Sequence, residues 1–220
     1  MTAIDKEDKI TKQNGWFLFG IIVLCYLLFT FISNQYLFGE EVYIRSFSDQ
    51  LTLQNIEALW DLQEQYLWLS YVFLPLIVLL KVFFATVYIS IGAVLSNIKF
   101  KFKIIFRATL LAEVVFIVAQ VLYLVNLSFR LDSLTLETAS AYYPFSFLSL
   151  IDANQVVSWL QYPLQTLNLF EVAYMVVIAW LLSKHWKEDF MESLAVVVPS
   201  YATGLLLWLV FVTFVTLQVT

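Results

Sequence analysis

The sequence predicts an all-α membrane protein, a bundle of five transmembrane helices with two outer-side interfacial amphipathic helices. Three observations carry that prediction: the composition, the number of apolar runs of spanning length, and the placement of charge between those runs. Of 220 residues, 61% are hydrophobic and 13% charged, and the mean hydropathy is +0.82. A soluble fold of this composition would expose far more apolar surface than a monomer tolerates. The net charge of −5 lies mostly in the connecting segments and forms no basic face, so nucleic acid is excluded as a partner. Cys25 is the sole cysteine, which excludes an intramolecular disulfide and a Cys/His metal framework.

Residues 1–15 form a polar segment ahead of a single transmembrane domain, 16–220. The first apolar run, 16–33, is near the lower limit for crossing a hydrocarbon layer of roughly 30 Å. No small-residue cleavage site follows it, so it is expected to be a retained anchor. The second, 67–95, exceeds one crossing, and Pro75 near its start predicts a kink or break between an interfacial piece and the span. Spans at 104–127, 164–182 and 194–217 complete the set, with Pro163 suited to opening the fourth. In 49–66, Leu53, Ile56, Leu59, Trp60 and Gln63 recur at helical spacing opposite Glu57, Asp61 and Glu64, which predicts an amphipathic surface helix. A second is expected in 145–162 from Leu148, Ile151, Val156, Trp159 and Leu160, with Ser149 or Asp152 as N-cap.

Basic residues fix the expected orientation. Lys6, Lys9 and Lys12 precede the first span, Lys99, Lys101, Lys103 and Arg107 follow the second, and Lys184 and Lys187 separate the last two. The alternate loops hold Arg45 and Arg130. The positive-inside rule then puts the N-terminus in the cytoplasm and the C-terminus outside.

Lys81 is the one formal charge in 67–95, Glu113 lies within the third span and Glu171 within the fourth. A charge at the bilayer centre costs from about 2.5 to more than 10 kcal/mol, so it is kept where it faces protein or water and has a partner. Counted from the basic turn, Lys81 and Glu113 differ in depth by about 5 Å at 1.5 Å per residue, which a lysine stem covers. An antiparallel hairpin with a Lys81–Glu113 pair follows. Lys81, Ala85, Tyr88, Gly92 and Ser96 make one stripe, and Thr109, Glu113, Phe116 and Gln120 make the stripe expected to face it. Asn168 stands one turn before Glu171, where the two side chains can share hydrogen bonds. Lys81, Glu113, Gln120, Asn168 and Glu171 thus form a candidate intramembrane polar centre. It reads first as a polar lock on helix register and alternatively as the proton or ion relay of a small transporter or transporter subunit. Gly92, Gly204, Pro75 and Pro199 are few interruptions for a transporter.

In the turn at 98–103, Lys99, Lys101 and Lys103 alternate with Phe100 and Phe102. With Arg107 they offer contacts to anionic lipid at roughly 1 kcal/mol per charge, or act as a topology determinant. Ser200 and Gly204 form a small-x-x-x-small pair suited to a close helix contact. His185 is the single histidine and sits in a short basic turn. With no zinc-protease, nucleophile-elbow or phosphate-loop motif, the chain is not expected to be an enzyme, and no catalytic residue, cofactor or metal is predicted.

The stretch Tyr162-Pro163-Leu164-Gln165-Thr166-Leu167-Asn168-Leu169-Phe170-Glu171, followed by an apolar span, a short basic turn and a final span, resembles the C-terminal half of the Yip (Ypt-interacting protein) family. The likeness covers roughly 67–220, with Asn168 and Phe170 best matched. The Asp-Leu-Tyr-Gly-Pro type motif of eukaryotic members is not present, so the resemblance is to a bacterial type. It implies a non-enzymatic protein of the inner membrane tied to trafficking, membrane organisation or a larger assembly. The expected partners are membrane lipid and either another protein or a second copy. A scaffold or assembly partner is therefore the expected function, with transport, or lipid binding and membrane shaping, as the alternatives.

Overall fold

A computed structural model describes residues 15–151 and 155–219. Residues 1–14 with Lys6, Lys9 and Lys12, the candidate cap Asp152, and Thr220 lie outside the described residues. Among the described residues, nine α-helices run in the order α1 (Gly15–Ile32), α2 (Glu40–Phe47), α3 (Leu53–Leu95), α4 (Phe102–Ala112), α5 (Val114–Ser128), α6 (Leu136–Ala141), α7 (Ser158–Thr166), α8 (Leu169–Trp186) and α9 (Phe190–Val219). No strand occurs among the described residues. Five helices among the described residues are long and apolar enough to cross a membrane: α1 with its π-helical extension Ser33–Leu37, α3, the α4–α5 pair, α8 and α9. The protein is an all-α membrane protein.

The segments near the first and second loops depart from expectation. α3 is continuous for 43 residues, roughly 65 Å at 1.5 Å per residue, and it absorbs the surface helix expected at 49–66. Pro75 does not break it. A proline removes one backbone hydrogen bond, which a spanning helix tolerates when the helix-forming residues on both sides hold their own. The predicted stripe is used all the same, since Ile56 is fully buried and the Trp60 ring meets Tyr43 of α2 at 5.3 Å.

Among the described residues of 145–162, an α-helix forms from Ser158, and it carries Pro163 inside rather than ahead of the fourth span. Before it, the Phe147 N–H donates to the Leu167 carbonyl at 3.0 Å and the Leu169 N–H to the Phe145 carbonyl at 3.1 Å. These bonds hold the chain extended at Leu167–Asn168, so α8 starts at Leu169 instead of 164. Local pairing and a cap at Asn168 outweigh the helical pattern on either side.

Two kinds of contact hold the bundle. α9 crosses α3 where Gly92 meets Ser200 and Gly204 meets the Tyr88 ring, closely enough that a methyl group on either glycine would overlap its neighbour. The small-residue pair on α9 is therefore spent within the bundle. It also corrects the expected stripe: Tyr88 and Gly92 face α9, and α3 meets α4 through buried Thr86 and Thr109, whose hydroxyls lie 2.9 Å apart. At the end carrying the long loops, Arg45 Nη1 donates to the carbonyls of Leu131 at 2.7 Å and Leu134 at 3.0 Å. Beneath that clamp Leu37, Val42, Leu127, Leu134 and Ala139 form a small apolar cap.

Candidate functional site

Glu113 sits where the third span is interrupted. α4 ends at Ala112 and α5 begins at Val114, and the Glu113 N–H reaches the Leu110 carbonyl at 3.2 Å, three residues back. In an unbroken helix it would serve Thr109. That carbonyl instead accepts the hydroxyl of Tyr174 from α8 at 3.2 Å, so the break is satisfied from outside, as a buried backbone group requires.

The Glu113 side chain is fully buried, and its Oε2 accepts Lys81 Nζ at 3.0 Å and the Tyr26 hydroxyl at 3.0 Å. Lys81 keeps 36% of its side chain exposed. Its ammonium lies 3.3 Å from the centre of the Phe116 ring and 5.5 Å from that of Tyr174. The cation is thus compensated by one carboxylate and two aromatic faces, the arrangement that offsets desolvation of a charge held among helices.

Glu171 occupies the first turn of α8, where the helix dipole favours a carboxylate. Its backbone N–H donates to Asn168 Oδ1 at 3.0 Å, while Asn168 Nδ2 donates to the carbonyls of Gln165 at 3.2 Å and Thr166 at 2.9 Å. Asn168 is therefore the N-cap of α8. The expected bond between the two side chains is not made, because the cap consumes the amide and the Glu171 carboxylate turns to the Tyr201 hydroxyl of α9 at 2.7 Å.

Beside Lys81 and Glu113 opens a cleft of about 450 Å³ between α1, α3 and α5, reaching toward Tyr143 at the loop end. Its walls are Phe73, Leu74, Ile77, Val78 and Phe116, and its polar residues include Ser70, Gln120 and Tyr143. Gln120 is thus placed at the cleft and makes no contact with the ion pair in the hydrogen-bond network. Burial, with Glu171 and Glu113 nearby, pushes the Tyr143 phenol up to about 12. It remains a hydroxyl donor across ordinary pH.

Lys99, Lys101 and Lys103 are exposed at the opposite end of the bundle, with Phe100 packed on the core and Phe102 outside against Phe83 at 6.1 Å. Arg107 stands apart from them, beside Gly15 of α1. The alternation therefore divides its rings between core and surface instead of laying both in the interface.

The tyrosines were not legible as part of the centre when counted with the apolar aromatics. A signal exists, however. Aromatic belts place tyrosine at membrane interfaces, whereas Tyr26, Tyr174 and Tyr201 fall well inside apolar runs, where a buried hydroxyl needs a partner. The interruption at Glu113 has no such signal, since neither glycine nor proline marks it. In comparisons with protein-family models, curated proteins and solved structures, nothing matches this chain.

Proposed function

We propose that this protein is a non-enzymatic membrane scaffold or assembly partner, with its polar centre serving as a lock on helix register. The observation that supports this reading most is that every spanning helix supplies a group to the centre: Tyr26 from α1, Lys81 from α3, Glu113 at the α4–α5 junction, Tyr174 and Glu171 from α8, and Tyr201 from α9. Toward the basic turn the centre is sealed by Val82, Ile89, Ile105, Ile178 and Leu182, all fully buried. A relay needs access from both sides, and this buried layer argues against a path toward the basic turn.

The Yip resemblance points the same way, toward a bacterial inner-membrane protein that works with lipid and with another protein or a second copy. On the loop charges, the N-terminus is cytoplasmic and Thr220 faces outward. Reporter fusions at both ends are expected to report opposite sides, and a common side overturns that orientation.

A small transporter is the second reading, favoured by the cleft and by the helix interruptions at Glu113 and before Asn168. Proton flux into liposomes containing the purified protein separates the two. The scaffold reading expects flux at the level of empty liposomes, together with a complex of fixed stoichiometry after extraction in native lipid discs. Flux above that level that Glu113→Gln abolishes, or extraction as a lone chain, overturns it.

A further inference from the structure

We propose that the cleft beside Lys81 is a binding site for an uncharged, single-chain lipid whose head carries a carbonyl acceptor. This goes beyond the scaffold reading and does not depend on it. The cleft, about 450 Å³, falls within the range of roughly 300–1,000 Å³ typical of small-molecule sites. Its composition is that of a site for an amphiphile. Apolar walls run along one turn after another of α3, and Phe73 and Ile77 on them are 50% and 62% exposed, so a chain entering from the lipid meets apolar surface first.

The cleft also holds polar groups that the protein itself does not use. The side chains of Gln120 and Tyr143, both partly buried, line it and make no hydrogen bond to another described residue, while exposed Ser70 stands eleven residues, roughly 16 Å, from Lys81 along α3. Lys81 has three N–H donors, of which one goes to Glu113. Unpaired polar groups inside a membrane bundle are costly, and here Gln120 and Tyr143 line one space with Lys81. All three can donate, so the group they complement is an acceptor such as an ester or ketone carbonyl.

Charge decides between a neutral and an anionic head. Among the residues lining the cleft, Lys81 and Glu113 are the charged ones, and they are paired at 3.0 Å. An added anion would stand beside a buried carboxylate with no cation of its own. A neutral carbonyl takes the spare N–H of Lys81 without disturbing the pair.

The test uses the full chain in lipid discs, a diazirine-bearing monoacylglycerol as probe, and mapping of the cross-linked peptides. Labelling is expected to fall on residues 70–78 and 116–120 and to be competed by unlabelled monoolein. Ile77→Trp, a change at an exposed position that fills the cleft, is expected to abolish it. Gln120→Leu and Tyr143→Phe should each lower it by roughly fivefold, the size of one neutral hydrogen bond. An alkyl sulfonate carrying the same diazirine chain should not label the cleft. Label spread over the lipid-facing residues of α9 and insensitive to monoolein overturns the proposal. So does cleft labelling that survives both Ile77→Trp and Gln120→Leu, or a sulfonate that labels the cleft as well as the ester.

Discussion

α1 and α8 are both 18-residue helices of spanning length, yet they sit differently in the bundle. The spanning window of α1 is 11% buried and that of α8 is 44% buried, although α1 is the more apolar of the two. In water the order would be reversed. Between lipid and protein an aliphatic side chain gains little by being covered, so close packing and polar contacts decide which helix goes inside. α8 carries Glu171 and Tyr174 on the stripe that continues through Ile178 and Leu182, all of them buried. α1 reaches the centre with the Tyr26 hydroxyl and otherwise buries Ile22 and Val23.

The largest expected effects fall on the pair that α1 and α8 both approach. Lys81→Met and Glu113→Gln should each destabilise the protein. The ceiling is about 3–5 kcal/mol for breaking a buried pair, and the partial exposure of Lys81 to the cleft holds the loss below it. Carrying both changes should recover much of that loss, because the coupling between the two residues disappears when both are gone. Reversible unfolding of the four proteins in mixed micelles measures the cycle. Losses that simply add in the double variant would break the idea that α8 and α1 are organised around a coupled pair.

The pairing of Lys81 with Glu113 was legible from depth along two helices joined by a short basic turn. Geometry of that kind survives translation from sequence because the rise per residue is fixed. The face of α3 turned to α9 was not, since Tyr88 and Gly92 share a stripe with Lys81 and nothing local distinguishes the neighbour each will meet. Asn168 and Glu171 were legible as adjacent on one face. Their roles depended on where α8 begins, which pairing with the chain at Phe145 and Phe147 settles and no periodicity records.

Packing offers the next test. Leucine at Gly92 would overlap Ser200 and crowd Val196, and overpacking of this kind costs about 1–3 kcal/mol. Leucine at Gly20 of α1 meets nothing within 4 Å and should change stability by no more than about 0.5 kcal/mol. Comparable losses at the two sites, measured by the same unfolding, would mean that α1 is packed as tightly as the α3–α9 contact. Below Gly92→Leu stands Asn168→Ala, which removes the cap of α8 and should cost about 1 kcal/mol. Asn168→Asp preserves the acceptor and should restore most of the loss, which separates the capping role from the amide's own contacts.

The smallest effect of removing a contact, and the sharpest for the comparison, belongs to Tyr26→Phe. It deletes one hydroxyl that donates to Glu113 at 3.0 Å. Hydrogen bonds between spanning helices average about 0.6 kcal/mol, so global stability should shift by that order. Glu113 keeps Lys81 on the same oxygen, so the centre itself persists. The consequence should be local, because α1 has little else holding it, and Cys25 beside Tyr26 is a partly covered thiol that reports on it. Its maleimide labelling rate in micelles should rise several-fold in Tyr26→Phe, more than a shift of about 0.6 kcal/mol in global unfolding would give. An unchanged rate would show that Ile22, with Leu18 and Phe19, packed with Val78, Val82 and Leu110, holds α1 without the polar contact, and the contrast drawn between α1 and α8 would fail at its weaker member.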